Sequence, residues 1–216
     1  MATMTSRLAV ALLATCAAWP AAAVERPAPV TGAPFDTASA ATREFADWVV
    51  ASGDNAARPF VVIDKLDARV FVFDATGRLG ASAPALLGLT RGDVSPPGIG
   101  NRSLASIGPA ERVTPAGRFV AAIGRNLGGR DILWVDYASA LSLHPVIAGK
   151  PAERRGVRLA SATSRDNRIS YGCINVPVAF YESAIRPAFG TASGMVYILP
   201  ETRSIHDVFA IPRSGD

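Results

Sequence analysis

The stretch RPFVVIDKLDARVFVFDATGRL, Arg58 to Leu79, places the strongest constraint on the fold. Two alternating runs rich in β-branched and aromatic residues flank a polar turn, and DATG closes the second. This pattern predicts a hairpin of strands at about Phe60–Asp64 and Arg69–Asp74. Further strand patterns lie at Ala81–Leu89, Gly117–Gly124, Ile132–Asp136, Ser142–Ile147 and Met195–Leu199. The expectation is a β-rich α+β domain with helices at its margins, spanning residues 58–200. At 216 residues and 49% hydrophobic, the chain is long enough for one sizeable core.

Two segments carry helical spacing. From Asp36 to Ser52 the apolar residues Ala41, Phe45, Trp48 and Val49 recur on one face, with Asp36 or Thr37 as N-cap and Gly53 as the stop. From Val176 to Phe189 the face is Val178, Tyr181, Ile185 and Phe189, and Pro187 argues for an end or kink there. Two long turn-rich connections remain, Leu89–Val113 and Ala148–Ile169. Long loops in a compact domain often carry function. Residues 201–216 read as a C-terminal tail.

The N-terminus has a different character. Arg7 precedes an apolar run from Leu8 to Ala18, and small residues follow at Ala21 and Ala23, the pattern of a secretory signal peptide over residues 1–23. The run is short for a bilayer span. Thr15 is bulky for the position before a lipid-modified cysteine, so Cys16 is not expected to be a lipoprotein anchor. Residues 24–57 read as a Pro/Ala-rich linker and the first amphipathic helix. These features predict export across the inner membrane to the periplasm or cell wall. The net charge of +4 suits a polyanionic neighbour, and no nucleic-acid motif accompanies it.

Removal of the signal would leave Cys173 as the single cysteine. A lone thiol in an exported protein has no internal disulfide partner, so it is either an inert core residue or a reactive group. A reactive thiol needs a base, because a free thiol is only a few per cent ionised at neutral pH. The chain has two histidines, His144 and His206. His144 ends a strand-like run, ALSLHP, and is the better-placed base; His206 lies in the tail. Gly172 removes bulk beside the sulfur, and a helix starting soon after Cys173 would offer unpaired N–H groups to an anion. One Cys and two His without close spacing do not predict a metal site.

The segment Ser170-Tyr171-Gly172-Cys173-Ile174-Asn175 resembles the S-H-G-C-[apolar]-[N/R] signature of L,D-transpeptidase catalytic domains, exported bacterial enzymes that cross-link or modify peptidoglycan. VVIDKLDARVFVFDATGRL is similar to the family's opening hairpin, and Thr114-Pro115-Ala116-Gly117-Arg118-Phe119 to its T-P-x-G-x-[FY] segment. The resemblance covers roughly Arg58 to Pro200. It implies a mixed β-sandwich-like fold with flanking helices, Cys173 as nucleophile, His144 as general base, and backbone N–H groups near Tyr171, Gly172 and Cys173 as oxyanion donors. It also implies that the Pro145 carbonyl orients the imidazole and that Ser170 and Asn175 stand at the substrate.

The reaction so implied is acyl transfer through a thioester on peptidoglycan stem peptides, with an amine or a wall-attached protein as acceptor, no cofactor, and a monomeric enzyme. Water as acceptor would give an L,D-carboxypeptidase or wall hydrolase, and loss of chemistry a wall-binding module. Three departures stand out. Tyr171 replaces the motif histidine, Pro145 replaces the Gly that commonly follows the base, and the connection from His144 to Cys173 is long. That connection holds Lys150, Arg154, Arg155, Arg158, Arg165 and Arg168. Guanidinium groups pair with carboxylates in bidentate fashion, so the connection is a candidate for recognising stem carboxylates. Arg168 and Asn167, closest to the motif, are the expected contacts.

Overall fold

The computed structural model describes residues 38–211. The expected signal peptide and the linker up to Thr37 lie outside the described residues. Helix α1 (Ala40–Ser52) opens the described chain. Its N-cap is Ser39, whose hydroxyl accepts from the Thr42 N–H, so Asp36 and Thr37 are not its caps; it stops at Gly53 as the sequence predicts. Its inner face is Thr42, Phe45, Ala46 and Val49, with Trp48 half-buried and Ala41 exposed.

The hairpin forms as expected from β1 (Phe60–Asp64) and β2 (Arg69–Phe73). The run Ala81–Leu89 divides into β3 (Leu79–Pro84) and a short β4 (Leu87–Gly88), because Pro84 cannot donate onward in a ladder. Next come β5 (Gly117–Arg125), β6 (Asp131–Asp136) and β7 (Leu141–Pro145). The connection after β7 carries helix α2 (Arg155–Leu159). Two three-residue strands follow, β8 (Arg168–Ser170) and β9 (Ile174–Val176).

Pro177 then starts a helical segment, α3 (Val178–Phe180), a π turn (Tyr181–Ile185) and α4 (Arg186–Phe189). The expected helix at Val176 therefore begins two residues later, Val176 being a strand residue. Pro187 does not end it: the wider π turn just before accommodates a residue without an N–H. Strand β10 (Gly194–Ile198) and helix α5 (Ile205–Phe209) complete the chain. The expected tail thus contains a helix, and its Phe209 ring lies 4.5 Å from that of Phe45 in α1. Among the described residues no helix is long and apolar enough to cross a membrane.

Eight strands form one mixed sheet in the order β3-β2-β1-β10-β5-β6-β7-β9, and β4 pairs with β8 beside it. β1–β10 and β7–β9 are parallel; the other neighbours in the large sheet are antiparallel. The fold is β-rich with flanking helices, as the sequence predicts. The period-two rule explains the apolar runs, since successive side chains enter opposite faces. Val61, Ile63, Val70 and Val72 join a core with Ile174, Val176, Tyr181, Ile185 and Phe189. Phe60, Val62, Phe71 and Phe73 face the other way, against Phe45, Val49, Met195 and Tyr197. Each fully buried Phe or Val contributes about 1.5–3 kcal/mol. Together these two-sided cores fix the register of the strands that carry the site.

A buried ion cluster ties the loops to this sheet. Lys65, just past β1, donates through Nζ to the Gly92 carbonyl at 2.6 Å, to Asp93 at 2.7 Å and to the Thr114 carbonyl at 2.9 Å. Asp93 also accepts from the backbone N–H groups of Glu201, Thr202 and Arg203. Arg168 of β8 pairs with Glu201 at 2.7 Å and donates to the Lys65 carbonyl at 2.6 Å. The hairpin turn, the long loop after β4, strand β8 and the exit of β10 are thereby joined around charges with almost no exposure.

Candidate active site

Cys173 lies on the turn between β8 and β9. Ser170 shapes this turn: its hydroxyl accepts from the Gly172 N–H at 3.1 Å and donates to the Cys173 carbonyl at 2.6 Å. Gly172 has φ +135°, and a Cβ there would stand 2.8 Å from the Val113 carbonyl oxygen. Both the backbone angle and the close approach require glycine. Thr114 supports the turn from the opposite loop, donating through Oγ1 to the Gly172 carbonyl at 2.7 Å and accepting from the Gly88 N–H at 2.8 Å. This gives the T-P-A-G-R-F segment a structural role beneath the cysteine.

His144 stands near the end of β7, which pairs in parallel with β9 so that His144 is opposite Asn175. The fold thus brings His144 close enough to Cys173 for each to act on the other's titration. The imidazole Nδ1 faces the Pro145 carbonyl at 2.9 Å. A carbonyl only accepts, so Nδ1 carries the hydrogen and Nε2 holds the lone pair. The loss of an N–H at Pro145 therefore does not affect this contact. Ser142, two residues before His144 on β7, donates through Oγ to Cys173 Sγ at 3.4 Å. The thiol also faces the Ala140 carbonyl at 3.6 Å.

Each group shifts the other toward its charged form. Burial works against the thiolate, but the hydrogen bond and charge of His144 outweigh it, with Ser142 adding to them, and the thiol titrates below its ordinary value. Burial likewise works against the imidazolium. The hydrogen bond and charge of Cys173 and the Pro145 carbonyl outweigh it, Arg155 opposes them, and His144 titrates above its ordinary value.

Cys173 is half-buried and lines a cleft of about 70 Å³, whose walls include Ile99, Leu104, Ile107, Val113 and Tyr171. The loop between β4 and β5 therefore walls the cleft beside Cys173. Tyr171 presents its ring to the Arg112 guanidinium, 3.9 Å from the ring centroid, a cation–π contact. His144 borders a second, wider groove of about 920 Å³ that also includes Trp134, Ile147, Val178 and Glu182. Cys173 and His144 thus border two different openings.

Several expected site residues have other roles. Arg168, expected at the substrate, is buried in the ion cluster with Glu201. Asn167 is buried and donates to the Ala85 carbonyl at 2.9 Å. Ser170 is buried and holds the turn from within. Asn175 is buried and faces His144 Nε2 at 3.2 Å, so it contacts the base and not the cleft. Gly172 directs its N–H to Ser170, which removes it from the expected oxyanion donors. Strand β9, not a helix, follows Cys173, so a helix dipole does not act on the thiol. His206 belongs to α5, where its Nδ1 faces the Ile211 carbonyl at 3.2 Å. Among the described residues no group of three or more His, Cys, Asp and Glu side chains is arranged to hold a metal ion.

The sequence does not point to Ser142 or Arg112 as contacts of the site, and it presents Thr114 and Arg155 only within the T-P-A-G-R-F segment and the basic connection, not as supports of Cys173 and His144. Ser142 was within reach of sequence reasoning, since residues i and i+2 share a face of a strand. The other three meet the site through loops.

The architecture is that of a cysteine–histidine site at the edge of a mixed sheet, a class suited to acyl transfer. No family model matches the chain, and no curated protein does. Solved structures do. The chain is similar to the L,D-transpeptidase LdtMt1 solved with imipenem, at 15% identity and a TM-score of 0.36, over 65% of this chain and 58% of that one. It is similar to the helical cell shape determining protein Pgp2 from Campylobacter jejuni, at 14% identity and a TM-score of 0.44, over 68% and 48%. It is also similar to the catalytic domain of an L,D-transpeptidase from E. faecium, at 15% identity and a TM-score of 0.35, over 66% and 98%. The match spans about half the length of the first two.

Proposed function

We propose that this protein is an exported peptidoglycan L,D-transpeptidase that works through a thioester on Cys173. The observation that supports it most is the closeness of Cys173 and His144, each shifting the other's titration, beside a cleft and within segments that resemble that family's signature. In this reading His144 Nε2 takes the thiol proton, and the sulfur attacks the carbonyl of an L,D peptide bond in a donor stem. The C–N bond breaks, the terminal D-residue leaves with the proton from His144, and the acyl group stays on sulfur. An amine acceptor entering along the wider groove then gives its proton to His144 and forms the new amide. Tyr171 stacked on Arg112 is a wall of the donor cleft in this scheme, which gives the motif's tyrosine a packing role that needs no ring charge.

The test is incubation of the purified protein with isolated muropeptides, read by mass spectrometry. Cross-linked dimers are expected. Trimmed stems alone would make it a carboxypeptidase, with water resolving the thioester. No product, together with no carbapenem adduct on Cys173, would make it a wall-binding module and overturn the proposal.

A further inference from the structure

The connection between β7 and β8 sends one side chain back to the base. Arg155, at the start of α2, donates through Nη1 to Asn175 Oδ1 at 2.8 Å. Its Nε donates to Glu153 Oε2 at 2.6 Å, and the Arg155 side chain is largely buried. Gly149, with φ +63°, makes room for this ion pair: a Cβ there would stand 2.3 Å from Glu153 Oε2 and 2.8 Å from Arg155 Nε. The connection is therefore folded around the guanidinium.

The guanidinium has donors and no acceptor, so it fixes which way the Asn175 amide lies. Oδ1 must face Arg155. Nδ2 must then face His144 Nε2, at 3.2 Å, and it also reaches the Cys173 carbonyl at 3.5 Å. Nε2 accepts from Asn175 while Nδ1–H donates to the Pro145 carbonyl. One tautomer of the neutral ring satisfies both ends.

We propose that Arg155 is a positioning residue that acts through Asn175 to hold His144 as the Nδ1–H tautomer and to disfavour a proton resting on Nε2. This rests on the Cys173–His144 reading above. When the S–H bond breaks and Nε2–H forms, the electron pair stays on sulfur and the new N–H meets the donor face of the Asn175 amide. A free amide would rotate and offer Oδ1. Arg155 prevents that rotation, so the imidazolium is restrained and returns its proton readily to a leaving amine. The charged groups around the ring are Cys173 and Arg155, the latter paired with Glu153. Arg130, Asp131, Glu182 and Arg186 line the same groove.

The readout is iodoacetamide alkylation of Cys173 across pH, which needs no peptidoglycan. Arg155→Met should move the inflection down by about 1 pH unit, because the amide can now stabilise the imidazolium and a like charge is gone. Arg155→Lys, which keeps a donor to Oδ1, should stay near the parent. In an Asn175→Ala background the Arg155→Met shift should shrink to the part that comes from the lost like charge. A shift of the same size there would mean that Arg155 acts by charge alone and would overturn the proposal, as would an unmoved or raised inflection in folded Arg155→Met. If Asn175→Ala does not fold, ¹⁵N spectra of the His144 ring decide. A single Nδ1–H tautomer in the parent that becomes mixed in Arg155→Met is expected, and an unchanged tautomer refutes it. A His144→Ala protein with the parent's alkylation profile would instead count against the cysteine–histidine pair itself.

Discussion

Ser142 Oγ donates to Cys173 Sγ from the same strand that carries His144, at 3.4 Å. Base and hydroxyl approach the sulfur from one face of β7, and a bond of this kind strengthens as the sulfur gains charge. Hydrogen bonds to charged groups contribute about 1.5–3 kcal/mol. Ser142→Ala should therefore lower the rate of acylation by roughly tenfold or more, measured with a carbapenem in stopped flow, while circular dichroism stays unchanged. A variant as fast as the parent would remove Ser142 from the site.

Cys173→Ala should form no acyl adduct, by intact-protein mass spectrometry. His144→Ala should retain the thiol but lose its activation. Because the imidazole holds the thiol below its ordinary value, the alkylation inflection should rise toward about pH 8.5. Turnover should fall by roughly 10²–10⁴. Parent-like rates in either variant would refute the assignment.

The Lys65 cluster predicts stability. Lys65 Nζ lies 2.7 Å from Asp93 and 3.7 Å from Glu201, all three side chains being almost fully buried. Lys65→Met leaves Asp93 without its cation, while Glu201 keeps Arg168. Removing one partner of a buried pair costs about 3–5 kcal/mol, read from the urea midpoint. A loss under about 1 kcal/mol would mean that water or a local rearrangement repays the charge.

Acid should loosen the same cluster. Burial disfavours the Asp93 charge, but hydrogen bonds from Lys65, Thr202 and the backbone N–H groups of Glu201 and Thr202 outweigh it and hold the carboxyl well below the usual carboxylate range. The unfolded chain then takes up this proton first. Stability from Asp93 is present above about pH 5 and is lost progressively as pH falls through the unfolded value of about 3.9. Urea midpoints from pH 7 to pH 3 should decline over the lower part of that range; a flat series would contradict the cluster's role.

Gly172→Ala meets two obstacles, the positive φ and the Val113 carbonyl. Backbone strain of this kind costs about 1–3 kcal/mol. The turn should shift and acylation should drop by roughly tenfold, with a measurable fall in melting temperature. Acylation at the parent rate would show that the turn tolerates a side chain.

Much of the sheet was legible because alternation is a local property. Phe60–Asp64 and Arg69–Phe73 declare themselves through side chains destined for opposite faces. Strands β8 and β9 did not, since three residues are too few for a period, and the apolar Val176–Phe189 run disguised the end of β9. Cys173 and His144 could be nominated from residue type and motif resemblance. The support around them could not: closeness in sequence placed Arg168 and Asn167 at the substrate, whereas burial and hydrogen bonding place them inside the scaffold. Arg155 reaches Asn175 only because of how the connection folds, which no local pattern encodes.

The parallel pairing of β7 with β9 has an evolutionary corollary. Parallel neighbours need a crossover, and the sheet register, not the crossover's length, sets the distance between nucleophile and base. The intervening stretch can lengthen, shorten or exchange residues without pulling the reacting atoms apart. It is a natural place for such a scaffold to diversify its chemistry while the central machinery stands still.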